Sequence, residues 1–122
     1  MNRLSLIALG LLLTVSGCAS SGHWSRADTY REMAFVGVMA LDWSTTLTIA
    51  DHPGNWREIN PILGEHPSRG KVNTYFASAI AGHAIIAYLL PPKYRVWWQY
   101  GWIGLEAGVD AKNLTTGISL SW

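Results

Sequence analysis

The chain has 122 residues, 14% of them charged and 49% apolar, with seven tryptophans and a formal net charge of +1. That length supports one domain, and that balance excludes a disordered or low-complexity chain. The near-zero charge gives no electrostatic footprint for nucleic acid. A single cysteine excludes intrachain disulfides and cysteine-rich zinc sites.

The first segment is a short charged start, Asn2-Arg3, followed by an apolar run from Leu4 to Val15. It closes on Ser16-Gly17-Cys18, and the whole reads as a secretory signal peptide. The run is too short to cross a bilayer core of roughly 30 Å, which needs about 20 residues. Val15-Ser16-Gly17-Cys18 resembles the bacterial lipobox. The resemblance implies cleavage before Cys18 and acylation of that residue, in a bacterial or phage-encoded protein of the cell envelope. It also implies that Asn113-Leu114-Thr115 is no glycosylation site. By the sorting code of enteric bacteria, Ala19 after the lipidated cysteine points to the outer membrane. A polytopic helical protein should not be extractable for that journey, so inner and outer membrane both stay open. The expected organisation is a signal peptide over 1–17, a flexible tether over 18–24 and one helical membrane-associated domain over 25–122.

Beyond the tether, a helix is expected from Ser25 or Asp28, either of which can cap it, to about Ala50. Asp51-His52-Pro53-Gly54-Asn55 stops it, and a proline- and glycine-rich loop follows to about Ser68. A second helix fits 69–90 and ends at Pro91-Pro92, and a third segment runs from Val96 to about Val109. From Asn113 to Trp122 apolar residues alternate, which suits a short extended tail better than a helix. The expected fold is all-α, about three helices in a small bundle.

Segments 33–50, 72–90 and 94–112 each approach the length of a membrane span. Small residues recur at helix-contact spacing at Ala77 and Ala81, Ser78 and Gly82, and Gly104 and Gly108. Tyr94, Trp97 and Trp98 cluster at a segment end, as in an interfacial aromatic belt. Asp42 opposes insertion by about 2.5 to 3.5 kcal/mol, and six apolar neighbours return about 2 to 3 kcal/mol. A packed bundle that buries its polar groups against one another is therefore the expected membrane form.

Two further features carry candidate chemistry. The first is Asp42-x-x-Thr45-Thr46 on a helix, followed by Glu58-Ile59-Asn60-Pro61-Ile62-Leu63-Gly64. These elements resemble a bacterial family of uncharacterised small membrane proteins that share an Asp-x-x-Thr helix and a Glu-x-Asn-Pro loop. The resemblance covers roughly Leu41 to Leu90 and implies a multi-helix membrane domain, with no reaction attached. On a helix Asp42 shares a face with Thr45 and Thr46, whose hydroxyls reach either that carboxyl or the helix carbonyls. Glu58 and Asn60 flank a proline-fixed turn suited to a loop-closing hydrogen-bond knot.

The second feature is the placement of Asp42, His83 and Glu106 near the middle of their segments. Three helices could bring them to one depth, as a proton relay, a metal site or packing glue such as a His83–Asp42 pair. No metal-ligating spacing accompanies them, and no cofactor is implied. Glu106 and Asp110 are like charges one turn apart, which calls for one to be neutral or turned to Lys112. No nucleophile motif or phosphate loop is present.

Three readings follow. The first is a non-enzymatic envelope lipoprotein, held by lipid and acting through its placement, an envelope protein partner or self-association. The second is a small integral membrane enzyme or proton- or metal-handling protein using Asp42, His83 and Glu106. The third is a soluble ligand-binding bundle on a lipid tether.

Overall fold

The computed structural model describes residues 23–122. The expected signal peptide, Cys18 and most of the expected tether lie outside them. Helix α1 spans Arg26–Asp51, α2 Arg69–Leu89 and α3 Pro92–Thr115, and the described residues contain no strand.

Local chemistry sets each boundary. Ser25 opens α1 with a reciprocal capping box: its hydroxyl accepts from the Asp28 amide at 3.1 Å while its own amide donates to the Asp28 carboxyl at 2.8 Å. Ser68 caps α2 by accepting from the Lys71 amide at 3.2 Å. Pro92 occupies the first turn of α3, where a missing N–H costs nothing.

Helix α3 extends to Thr115, six residues beyond Val109. It closes in a Schellman arrangement, with the Ile118 amide on the Asn113 carbonyl and the Gly117 amide on the Leu114 carbonyl, both at 3.1 Å. Gly117 sits at φ +87, the left-handed conformation this closure requires. The tail is thus shorter than the apolar alternation implies. Asn113, Leu114 and Thr115 are helical, and the last residues pair with side chains of α1 rather than with a strand.

The helices run up, down, up, so α1 and α3 are parallel, and α1 makes the largest share of contacts with both neighbours. The α1–α2 seam is apolar. Phe35, Met39, Leu47, Val72 and Phe76 form its core together with Leu63 from the loop. Trp43 stacks on Phe76 at 5.8 Å and donates its indole N–H to Asn73. The α1–α3 seam is polar, and every buried residue of α3 is Arg95, Gln99, Glu106 or Asp110.

Candidate functional site

The polar seam begins where α1 and α3 start. Asp28, fixed by the capping box, accepts from Arg31 and from Arg95 Nη1 at 3.0 Å. Arg95 also donates Nε to the Ala87 carbonyl at 2.7 Å and Nη2 to the Leu90 carbonyl at 2.9 Å. One guanidinium therefore satisfies the carbonyl end of α2, places positive charge at its negative pole, and ties it to the start of α1. Its other face lies 5.0 Å from the Trp24 ring.

One turn deeper, Gln99 is fully enclosed. Its Oε1 accepts from Arg31 Nε at 2.8 Å, and that nitrogen only donates, so the amide orientation is fixed. Gln99 Nε2 then donates to the Asp28 carbonyl at 3.1 Å and to Glu32 Oε2 at 3.0 Å. The other oxygen of Glu32 meets His83 Nδ1 at 2.7 Å. Glu32 thus links Gln99 on α3 to His83 on α2 through its two oxygens.

His83 is packed as tightly as it is bonded. Phe35 stacks on its ring at 3.6 Å between centroids, and Trp98 lies at 5.3 Å. Its Nε2 is buried and has no hydrogen-bond partner. The imidazole forms part of the wall of a partly enclosed cavity of about 270 Å³. Aromatic and aliphatic side chains from all three helices line the rest, including Phe35, Met39, Tyr75, Ile86, Trp98 and Trp102, together with the carboxyl-bearing Glu106.

Farther along the seam the charge turns acidic. The Asp42 and Glu106 carboxyls lie within hydrogen-bonding reach of each other. Glu58 and Asp110 are also within electrostatic range of Asp42. Asn113 Nδ2 bridges Asp42 Oδ1 at 3.1 Å and the Thr45 hydroxyl at 3.0 Å, while Thr45 itself donates to the Asp42 carbonyl at 3.0 Å. Asp110 is buried with neither carboxylate oxygen hydrogen-bonded. Among the described residues, no group of three or more His, Cys, Asp or Glu is arranged to hold a metal ion.

The sequence-derived candidates therefore fall into three places. Asp42, Thr45 and Glu106 meet at the acidic end of the seam. His83 joins Glu106 only across the cavity, and its direct partner is Glu32 rather than Asp42. Glu58 and Asn60 tie the loop: the Glu58 carboxyl accepts from the Asn60 amide at 2.8 Å, and the Asn60 side chain accepts from the Ile62 amide at 2.9 Å. Thr46 is buried in α1. Cys18 precedes the described residues.

Sequence reasoning missed Asp28, Glu32, Arg95, Gln99 and Asn113 as one constellation. A signal for them exists. Asp28, Glu32, Asp42 and Thr45 recur at helical spacing on α1, as do Arg95, Gln99, Glu106, Asp110 and Asn113 on α3. Period-seeking on apolar residues alone passes over such a stripe. Gly104 and Gly108, spaced for close helix contact, face open space rather than a neighbouring helix of the bundle.

No family model, curated protein or solved structure matches this chain.

Proposed function

We propose that the chain is a small bacterial or phage-encoded envelope lipoprotein, held by acylated Cys18 and by a bundle embedded in the bilayer, acting as a non-enzymatic membrane structural or interaction protein. The observation that carries this reading is the distribution of polarity. The interior of the α1–α3 seam is built from charged and amide side chains, while Trp97 is 74% exposed and Tyr30, Met33, Ile85, Tyr88 and Leu105 are also exposed. Exposed apolar side chains around a largely hydrogen-bonded polar seam suit lipid as solvent. Helices α1 and α2 are both long and apolar enough to cross a membrane. Exposed Tyr30, Tyr88, Tyr94, Trp97 and Tyr100 gather at the end where α1 and α3 begin and α2 finishes. That end also lies nearest Cys18 in the chain, as a headgroup-level belt beside a lipid anchor requires. The outward Gly104 and Gly108 offer a second helix, from another copy or an envelope partner, a place to approach closely.

Membrane fractionation with palmitate labelling tests this reading. Wild type should incorporate label, and Cys18→Ala should lose the label yet resist alkaline extraction from membranes. Release of unlabelled Cys18→Ala as soluble monomer would overturn embedding and favour the tethered soluble bundle. Absence of label on wild type would overturn the lipoprotein assignment.

One observation favours the second reading, a membrane enzyme or proton-handling protein. Glu106 touches Asp42 on one side and shares a cavity wall with His83 on the other. Unchanged phenotype and folding in Asp42→Asn, His83→Ala and Glu106→Gln would remove it.

A further inference from the structure

Two independent features of the cavity between the helices point to the same kind of guest. The first is its wall, which four aromatic side chains line: Phe35, Tyr75, Trp98 and Trp102. Trp98 and Trp102 meet edge to face, with 5.6 Å between centroids and 67° between planes, so the indoles stand as adjoining walls rather than as a stack. Trp102 and Ile86 are part-exposed and mark the outer rim. An apolar void of roughly 150 Å³ admits benzene, so by the same ratio about 270 Å³ holds a guest of about ten heavy atoms.

The second feature is charge. Glu106 is the carboxyl in the wall, and no lysine or arginine lines the cavity. Asp42 lies within hydrogen-bonding reach of Glu106, and Glu58 and Asp110 are within electrostatic range of Asp42. None of these four carboxyls takes part in an ion pair among the described residues. Asp110 is 5% exposed and accepts no hydrogen bond. On the α2 side the titratable groups are His83, which Glu32 already faces, and the phenol of Tyr75. Carboxyls therefore outnumber cations around the cavity, a deficit that a bound cation offsets.

The form of the cation follows from what the wall does not offer. Each N–H of an ammonium group asks for an acceptor. The wall presents one carboxyl, already engaged with Asp42, and the free ring nitrogen of His83 is buried. A cation without N–H donors needs only aromatic surface and a nearby negative charge.

We infer that the cavity lined by Trp98, Trp102 and Glu106 is a binding site for a small quaternary ammonium compound, a trimethylammonium group carrying an aryl or short alkyl substituent. Two carboxyls bond to each other only through a shared proton. The cation takes the place of the proton held between Asp42 and Glu106, that proton leaves to solvent, and affinity rises with pH. This names a ligand class for the second reading above, although it rests on the cavity wall and not on phenotype or topology.

The test titrates 4-fluorophenyltrimethylammonium and its neutral isostere 1-tert-butyl-4-fluorobenzene into full-length protein in nonionic micelles, followed by fluorine NMR. Each affinity is normalised to partitioning into protein-free micelles. At about pH 8 wild type should bind the cation about tenfold more tightly than the isostere, within the range of a desolvated cation–π contact. Lowering the pH to about 5 should weaken the cation about tenfold as protons compete, and leave the isostere unchanged. Glu106→Gln should abolish the preference and its pH dependence and leave the isostere within twofold. Gly82 lines the cavity and has nothing within 4 Å of the position a Cβ would take. Gly82→Leu should therefore fill the space and expel both probes, and it keeps the site testable where Glu106→Gln fails to fold. Equal binding of the two probes by wild type, binding of neither, a preference that does not change with pH, or cation binding that survives either substitution would overturn the inference. Because micelle binding depends on neither phenotype nor topology, failure of either reading above would leave this result standing.

Discussion

Arg95 joins all three helices, and its replacement by methionine is the sharpest stability test. The side chain is 2% exposed and donates to Asp28 on α1 and to the Ala87 and Leu90 carbonyls at the end of α2. Methionine keeps most of the volume and none of the donors, so the loss is electrostatic rather than a void. Asp28 retains Ser25 and Arg31 but loses its most buried cation, while the α2 carbonyls lose the group that covers them. Breaking a buried pair from one side costs about 3 to 5 kcal/mol. Against a total stability of about 5 to 15 kcal/mol, that brings a small bundle close to its unfolding threshold.

Unfolding in mixed micelles, followed by tryptophan emission and far-ultraviolet circular dichroism, measures the loss. Arg95→Lys should recover only part of it, since an ammonium cannot reach the carboxylate and two carbonyls as a planar fork does. In Asp28→Asn/Arg95→Met the two losses should fall short of additive by about 1 to 3 kcal/mol. An Arg95→Met protein within about 1 kcal/mol of wild type, or strict additivity in the double variant, would refute the assignment of Arg95 as the tie between the helices.

Three smaller perturbations test other parts of the molecule. Ser44 exchanges hydrogen bonds with the carbonyl and amide of Ser121, both at 2.8 Å. Ser44→Ala should cost about 1 to 2 kcal/mol and raise amide exchange over residues 118–122. Gly117→Ala forces a side chain into the left-handed closure of α3 and should lower stability by about 1 kcal/mol in the same unfolding assay. Asn113→Asp removes the donor that bridges Asp42 and Thr45 and adds a carboxyl beside Asp42, Glu106 and Asp110. A loss of about 2 kcal/mol is expected, against less than 1 kcal/mol if the acidic end were open to water.

The helices were legible because their punctuation is local. Ser25, Pro53, Ser68 and Pro92 each act through a bond or a steric limit within four residues. The Glu58–Asn60 knot was legible for the same reason. The His83 partner was not. Its choice between Asp42 and Glu32 depends on the antiparallel register of α1 and α2, and a reading that opens the apolar segment at residue 33 leaves Glu32 just outside. The Arg95 fork was hidden by the Pro91-Pro92 turn, which marks a boundary without revealing that α3 folds back to cap α2. The end of α3 was misjudged because Leu114, Thr116, Ile118 and Leu120 alternate, although the first of these is helical. Alternation without a neighbouring strand to pair with carries little structural force.

The polar α1–α3 seam and the exposed apolar side chains make opposite demands in water and in lipid, and Leu105→Lys separates them. Leu105 is exposed midway along α3, immediately before Glu106 on the seam. In a water-soluble bundle a lysine there touches nothing buried and should change stability by no more than about 0.5 kcal/mol. In a bilayer the same ammonium stands near the depth of Asp42 and opposes insertion by about 2.5 to 3.5 kcal/mol. The asymmetry extends to the seam itself. In water, burying Arg95, Gln99 and Glu106 exchanges good solvation for protein bonds with little net gain. In lipid, the separated helices would expose those groups to hydrocarbon, so the same bonds become a force for association. Carbonate-resistant yield of Leu105→Lys from membranes should therefore fall sharply. An undiminished yield, together with unchanged unfolding, would mean that the apolar exterior faces a protein surface or water and would refute lipid as its solvent.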